Sequence, residues 1–242
     1  MKILIVRHGD PDYERDCLTA KGRREAEMLA QELSKMEIAA FYQSPLGRAR
    51  ETALYTLRKM NRTAKTLAWL QEFKVTIDRP DVEGLSSICW DWLPDDWTQR
   101  PALFGYDTWY KDPIMAAGGA QKRYRWVAQG FESVLAEHGY VFNGRTFDVK
   151  QNNHDTIVFF CHLGVQCVML GHIMHISPMI LWQKTAVAPT SVTVLNSEER
   201  SKGTAVFRMS RMGDISHLYK NGEEPSLSAR FCECFEDDTR HV

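Results

Sequence analysis

The sequence predicts an α/β fold, a three-layer α/β/α sandwich with a mainly parallel sheet and an inserted cap region. Three observations carry that expectation. Apolar strand-like runs alternate with amphipathic helical runs, as in a parallel sheet covered on both faces. Two of those runs, Ile3 to Val6 and Ile157 to Phe160, are unbroken by polar residues, as doubly buried strands are. Each leads into a histidine, His8 and His162, and functional residues in such sheets gather just past the carboxyl ends of strands.

Lys2 to Arg7 reads as the first strand, with β-branched residues and no breaker. A polar loop follows from Gly9 to about Leu18. Thr19 then caps a helix to about Met36, because Ala26, Leu29, Ala30 and Leu33 recur at helical spacing. Ala39 to Gln43 is a short strand. Ser44-Pro45 reads as a helix start, a capping hydroxyl with proline at the first helical position, and that helix runs to about Met60. A strand is expected near Thr66 to Leu70.

From Asp78 to Asn153 the pattern changes. Trp90, Trp92, Trp97 and Trp109 crowd a stretch rich in Pro and Asp, and only Lys122 to His138 is clearly helical. This insertion, at about 78–153, is expected to form a cap that shapes substrate choice. Alternation resumes with the strand at Thr156 and a helix from about Val165 to His175. Ser191 to Leu195 and Ala205 to Met209 read as closing strands, and beyond Glu223 the tail is charged and irregular.

The 242 residues, 44% hydrophobic, suit a single domain spanning 1–242 with room for the insertion. A net charge of −1 argues against a nucleic-acid binder working through a broad basic field. No apolar stretch approaches bilayer length, and the apolar run after Lys2 is too short for a signal peptide, so a cytoplasmic protein without membrane partners is expected. Six scattered cysteines do not make a disulfide framework. Cys232-Glu233-Cys234 lacks a second cysteine pair to complete a metal site. His172 and His175 have metal-ligand spacing, but the surrounding helix is apolar and offers no carboxylate nearby.

The chemistry concentrates at Arg7-His8-Gly9. A strand end aims a side chain into a crevice, and glycine lets backbone approach a ligand closely. Arginine supplies a forked, permanently charged donor matched to phosphate oxygens, and an imidazole beside it serves as base, ligand or nucleophile. Three letters alone also fit a chance loop. Four further features change that: Leu18-Thr19-x-x-Gly22, Ser44-Pro45-Leu46-x-Arg48-Ala49-x-x-Thr52-Ala53, Leu70-x-Glu72, and a strand leading into Cys161-His162-Leu163-Gly164.

In their order and spacing these elements resemble the histidine phosphatase superfamily, the phosphoglycerate mutase-like proteins, over most of the chain except the insertion. The resemblance implies that His8 is phosphorylated during turnover, that Arg7, Arg48 and His162 grip the phosphoryl group, and that Glu72 is the general acid. It implies a metal-independent phosphatase acting on a small phosphate ester, with no cofactor. Two arginines and a protonated His162 would suit a phosphate dianion, whose transfer needs an in-line nucleophile and cations around the equatorial oxygens.

The chain also departs from the family. Related phosphatases continue past the glutamate with a glycine and then an aromatic-Glu-Gly, whereas Phe73-Lys74-Val75-Thr76 follows here and Glu83-Gly84 comes late; Asp10 and Glu83 therefore remain alternative proton donors. Asp10-Pro11-Asp12-Tyr13 replaces the Ser and Trp-Asn of the mutases, and Leu163 follows the late histidine. A phosphoglycerate-type mutase and a silent phospho-ligand-binding module are the alternatives to a hydrolase.

Overall fold

The computed structural model describes residues 1–228, 232–237 and 239. Its centre is an eight-stranded sheet. In chain order the strands are β1 (Lys2–Arg7), β2 (Ala40–Gln43), β3 (Lys65–Thr66), β4 (Tyr140–Phe142), β5 (Phe147–Val149), β6 (Thr156–Cys161), β7 (Val192–Ser201) and β8 (Thr204–Asp214). Across the sheet the order is β3-β2-β6-β1-β7-β8-β5-β4. The β3, β2, β6 and β1 strands pair in parallel. From β1 to β7 and onward to β4 every pairing is antiparallel, so the sheet is mixed. For β7 and β8 the cause is local: a tight turn through Gly203, at φ +80°, joins them, and hairpin strands are necessarily antiparallel.

Alternation in β1 divides the core into two layers. Leu4 and Val6 pack with Val158 and Phe160 under Leu29 and Leu33 of α1 (Ala20–Leu33) and Ala53 and Leu57 of α2 (Gly47–Met60). Ile3, Ile5, Ile157 and Phe159 face the other way, towards α3 (Ala120–Glu137), α4 (Leu163–Met174) and α5 (Pro178–Lys184). That is the expected three-layer arrangement.

Several local expectations are corrected. The Ser44-Pro45 start is displaced: α2 begins at Gly47 after Leu46, and its first turn is capped from a distance by Asp16. One Asp16 oxygen accepts the Gly47 N–H at 2.7 Å and the other accepts Arg48 Nη1 at 2.6 Å. Ser44 is thereby free for another role. The Thr66–Leu70 strand is only two residues, Lys65–Thr66. A 3-10 turn at Ala68–Leu70 follows, because Trp69 and Leu70 turn inward to the core, Trp69 against Phe131 and Phe159. Thr19 caps α1 as read, accepting the Gly22 N–H at 3.0 Å. Gly22 itself is required by close approach, since a Cβ there would lie 2.2 Å from the Asp10 carbonyl oxygen.

The 78–153 insertion is not a cap throughout. A small hairpin pairs Thr76–Asp78 with Ser86–Ile88, and short helices follow at Pro94–Trp97 and Pro113–Ala117. From Ala120 onward the chain rejoins the main layers, as α3 and then as β4 and β5 at the sheet edge. The tryptophans bind the two parts together. Trp109, wholly buried, sits among Phe73, Tyr124 and Trp182, with ring centroids 5.5–6.2 Å apart. Trp109→Ala should therefore cost about 3–5 kcal/mol, the usual loss for a buried large aromatic. In urea it should lower the midpoint of one shared transition, since the insertion and the sheet have a common core; separate transitions for the two parts would contradict this.

Candidate active site

Arg7 is the last residue of β1 and pairs with Cys161, the last of β6. Two parallel strands in register thus deliver His8 and His162 side by side, with ring centroids 5.1 Å apart. The His8 N–H donates to the Cys161 carbonyl at 3.0 Å, which fixes the backbone at this level.

His8 is buried, and its Nδ1 lies 2.8 Å from the Gly9 carbonyl oxygen. A carbonyl only accepts, so Nδ1 carries the proton and Nε2 keeps its lone pair. Burial, then the charges of Arg7 and Arg48, push the His8 pKa well below its ordinary value of 6.5, so the ring is neutral. Gly9 is held in turn: its N–H donates to Thr52 Oγ1 at 2.9 Å, and that hydroxyl donates to the Arg48 carbonyl at 2.8 Å. The one-turn spacing of Arg48 and Thr52 on α2 is what lets the Thr52 hydroxyl reach back to the Arg48 carbonyl.

Arg7 is 1% exposed, and its guanidinium donates to two carbonyls, Val187 at 2.5 Å and Ser228 at 2.9 Å. Among the described residues no carboxylate lies within salt-bridge distance of it, in contrast to Arg48 on Asp16. Among the described residues, the Nε atoms of Arg7 and Arg48 and Nδ1 of His162 are buried without a hydrogen-bond partner, as are several tryptophan nitrogens away from the site. Arg7, Arg48 and His162 are the three side chains that the resemblance assigns to phosphate. Buried polar atoms normally have partners, so these nitrogens are compatible with a site that takes an anion.

Protonation of His162 is corrected. Burial, His8, Arg48 and Arg7 together drive its pKa well below 6.5, so it is neutral here. Its Nε2 lies 2.7 Å from Ser44 Oγ, and that oxygen accepts the Leu46 N–H at 3.2 Å. The Ser44 proton is then available to Nε2, which places the His162 proton on the unpartnered Nδ1.

Glu72 comes to the start of α4. Its Oε1 accepts the N–H groups of Phe73 at 2.7 Å and Val165 at 3.0 Å. Those bonds favour the carboxylate, but burial outweighs them and raises the Glu72 pKa. Gly164 is demanded by crowding: a Cβ there would meet Trp90 at 2.2 Å and Glu72 Oε1 at 2.6 Å. A tryptophan of the insertion therefore lies beside the candidate acid.

The other proton-donor candidates are placed elsewhere. Asp10 is engaged by Thr19 Oγ1, at 2.6 Å, and by the Ser226 hydroxyl. Glu83 is exposed in the hairpin turn. His172 is satisfied at both ring nitrogens, by Glu132 at 2.7 Å and by Tyr124 at 2.9 Å, with Tyr106 at 3.3 Å. Among the described residues no group of three or more His, Cys, Asp or Glu is arranged to hold a metal ion.

Sequence reasoning missed Ser44 and Asp16 as site residues, and Tyr13, whose ring lies 5.3 Å from the Arg48 guanidinium. It also missed Thr190, at φ +57°, whose N–H donates to the His8 carbonyl at 3.1 Å and whose hydroxyl receives His217 Nε2–H at 3.0 Å. A β-branched residue in that conformation is strained, a condition found where function over-determines geometry. Ser44 carries a local signal, as the start of the Ser44-Pro45-Leu46-x-Arg48 motif, but there it reads as a helix cap; nothing local marks the other three.

Residues 3–103 match the family model of the histidine phosphatase superfamily, branch 1. Over 77 residues the chain is 36% identical to a 2,3-bisphosphoglycerate-dependent phosphoglycerate mutase of Thermoplasma acidophilum, a match covering 27% of this chain and 38% of that relative. The chain thus spans well under half the length of that curated relative. Solved structures similar in fold include a phosphoserine phosphatase from Entamoeba histolytica, 18% identical with a TM-score of 0.59, covering 90% of this chain and 98% of that one. A mycobacterial glucosyl-3-phosphoglycerate phosphatase is 18% identical with a TM-score of 0.55, covering 88% and 98%.

Behind the His8 loop, the fully buried Glu25 accepts the Asp10 N–H at 2.9 Å and the Ser226 N–H at 3.3 Å, and burial raises its pKa to about 7. A carboxyl raised from 4.5 binds more protons folded than unfolded, so its contribution to stability is present at low pH and is lost as pH rises through about 7. Glu25→Gln should remove that term. The stability of the variant relative to the parent should rise by about 2–3 kcal/mol between pH 5 and pH 8 in urea titrations. A pH-independent difference would contradict the assignment.

Proposed function

We propose, on the premise that this is a histidine phosphatase superfamily protein, that it hydrolyses small phosphate monoesters through a phosphohistidine on His8. The observation that carries the reading is the His8 tautomer. Nδ1–H is committed to the Gly9 carbonyl, leaving an unprotonated Nε2 among two arginines and His162. A histidine held neutral beside cations is suited to attack a dianion, which the same cations attract.

Nε2 attacks phosphorus in line with the ester bond; the N–P bond forms as the P–O bond breaks. The guanidinium groups of Arg7 and Arg48 and Nδ1–H of His162 share the charge on the equatorial oxygens. Protonated Glu72 gives its proton to the departing alkoxide, which leaves as the alcohol. Water then attacks phosphorus, passing a proton to the Glu72 carboxylate. The N–P bond breaks, its electron pair returns to Nε2, and inorganic phosphate is released. The raised pKa of Glu72 supports its part, because the acid must hold a proton near neutrality.

A mutase is the second reading, favoured by the partial match to the Thermoplasma relative. It would use the same pocket but return the phosphoryl group to a bound substrate. Release of free phosphate, against formation of a positional isomer, separates the two. No described helix is long and apolar enough to cross a membrane, and a cytoplasmic setting is part of the proposal.

Activity should survive EDTA, because the positive charge comes from side chains; loss restored by a divalent ion would overturn the mechanism. An acid-labile, base-stable phosphoryl label should accumulate on the parent protein after rapid quench and be absent from His8→Ala. The proton donor is tested by leaving group. Glu72→Gln should slow an alkyl phosphate by roughly 10²–10⁴-fold, the usual range for proton transfer. It should leave p-nitrophenyl phosphate, whose phenolate needs no proton, nearly unchanged. Equal slowing of both substrates would remove Glu72 from that role.

A further inference from the structure

The phosphoryl-transfer steps make no use of segment 223–228, yet its contacts lead to Arg7. The segment has no helix or strand of its own, so its position is set by the bonds it makes. On α1, Arg24 donates to both Glu223 oxygens, at 3.0 and 3.2 Å, and Lys21 Nζ donates to the Glu224 carbonyl at 2.6 Å. Ser226, 6% exposed, then reaches the loop that follows His8. Its N–H donates to Glu25 Oε1 at 3.3 Å, while Glu25 Oε2 accepts the Asp10 N–H at 2.9 Å. Its hydroxyl donates to Asp10 Oδ1 and accepts the Ser228 N–H at 3.1 Å. The Ser228 carbonyl in turn accepts Arg7 Nη2 at 2.9 Å. Asp10 is thus an anchor, with Thr19 on one oxygen and Ser226 on the other.

The consequence falls on Arg7. A guanidinium is planar and carries five N–H donors in a fixed fork. The Val187 carbonyl holds Nη1 at 2.5 Å and the Ser228 carbonyl holds Nη2. One carbonyl alone would leave the plane free to swing about that bond. Two carbonyls on separate nitrogens fix the plane, and with it the direction of the N–H groups left for a ligand, the unpartnered Nε among them. Val187 is placed by the loop before β7, but Ser228 reaches Arg7 from 221 residues away. Arg48 is held differently, by Asp16 at 2.6 Å. An effect transmitted through the segment therefore reaches one arginine and not the other.

We propose that Ser226 is a positioning residue for phosphate. It latches segment 223–228 onto Asp10 and Glu25, so that the Ser228 carbonyl sets the Arg7 guanidinium for phosphoryl oxygens. The inference rests on the proposed phosphate site at Arg7, but its test needs no turnover. By calorimetry, Ser226→Ala should bind inorganic phosphate about fivefold more weakly than the parent protein, the worth of one hydrogen bond. Ser226→Cys, close in shape but weak in hydrogen bonding, should fall between the two. In 15N spectra the Arg7 Nε–H should exchange with water faster in Ser226→Ala than in the parent, and the Arg48 Nε–H should exchange at an unchanged rate. A residue that only supported the fold would loosen both arginines.

Unchanged phosphate affinity in Ser226→Ala, an order of affinities other than Ser, Cys, Ala, or equal acceleration of both arginine signals would overturn the proposal and leave the hydrolase reading standing. The expected loss of affinity, in a protein that hydrolyses no phosphate ester, would do the reverse. Failure of the parent protein to bind phosphate would overturn both.

Discussion

The buried guanidinium of Arg7 is the interaction on which the site depends. It is 1% exposed and held by carbonyls of Val187 and Ser228, and among the described residues no carboxylate reaches salt-bridge distance of it. Removing a cation from water without a counter-charge costs several kcal/mol, so the fold sustains there an unfavourable field that a phosphate dianion would relieve. The same field acts on its neighbours. It adds to burial in keeping His8 and His162 neutral, so the charges that would attract a phosphate also leave Nε2 of His8 unprotonated. Under the proposed mechanism, binding and nucleophile activation have a common physical source.

The framework around Arg7 is built to hold it. Parallel pairing of β1 with β6 brings His8 and His162 to one level. The loop from Val187 to Ser191 forms a second wall. The Val187 carbonyl accepts from Arg7 Nη1, the Ser191 carbonyl accepts the Arg7 N–H, and the Thr190 N–H donates to the His8 carbonyl. Thr190 is left-handed to do so, and buried His217, its pKa lowered by burial to about 4, steadies the hydroxyl as a neutral donor. On the other flank, Asp16 fixes both the first turn of α2 and the Arg48 guanidinium. Arg48 thus has a salt-bridge partner where Arg7, among the described residues, has none.

Glu72 shows two environments in balance. Backbone N–H groups at the start of α4 favour its charged form, while burial favours the neutral one and prevails. Trp90 packs over Gly164 beside the Glu72 carboxylate, so the tryptophan-rich insertion reaches the candidate acid as well as filling the core. A side chain larger than hydrogen at Gly164 would have to displace either the indole or the carboxylate.

Much was legible in the sequence because its causes are local. Apolar runs, a capping threonine and strand-end histidines depend on neighbours in the chain, and they led to the three layers, α1, and the positions of Arg7, His8, Arg48 and His162. What was misread depended on contacts distant in sequence. Ser44 looked like a helix cap because its local pattern is a cap pattern; Asp16 takes over the start of α2, and Ser44 turns to His162, 118 residues away. The end of the insertion, past His138, reads as irregular because its strands are three residues each, and only pairing with β8 makes them part of the sheet. Residue type does not distinguish Glu72, Asp10 and Glu83, since all three are carboxylates. Their burial and partners differ, and those differences, on which the proposed choice of Glu72 rests, exist only once the chain is folded. The sequence by itself determined which side chains stand at the strand ends and helix start as candidates for phosphate chemistry. Tertiary structure decided their protonation, because pKa depends on solvent exclusion and on charges brought together from distant parts of the chain.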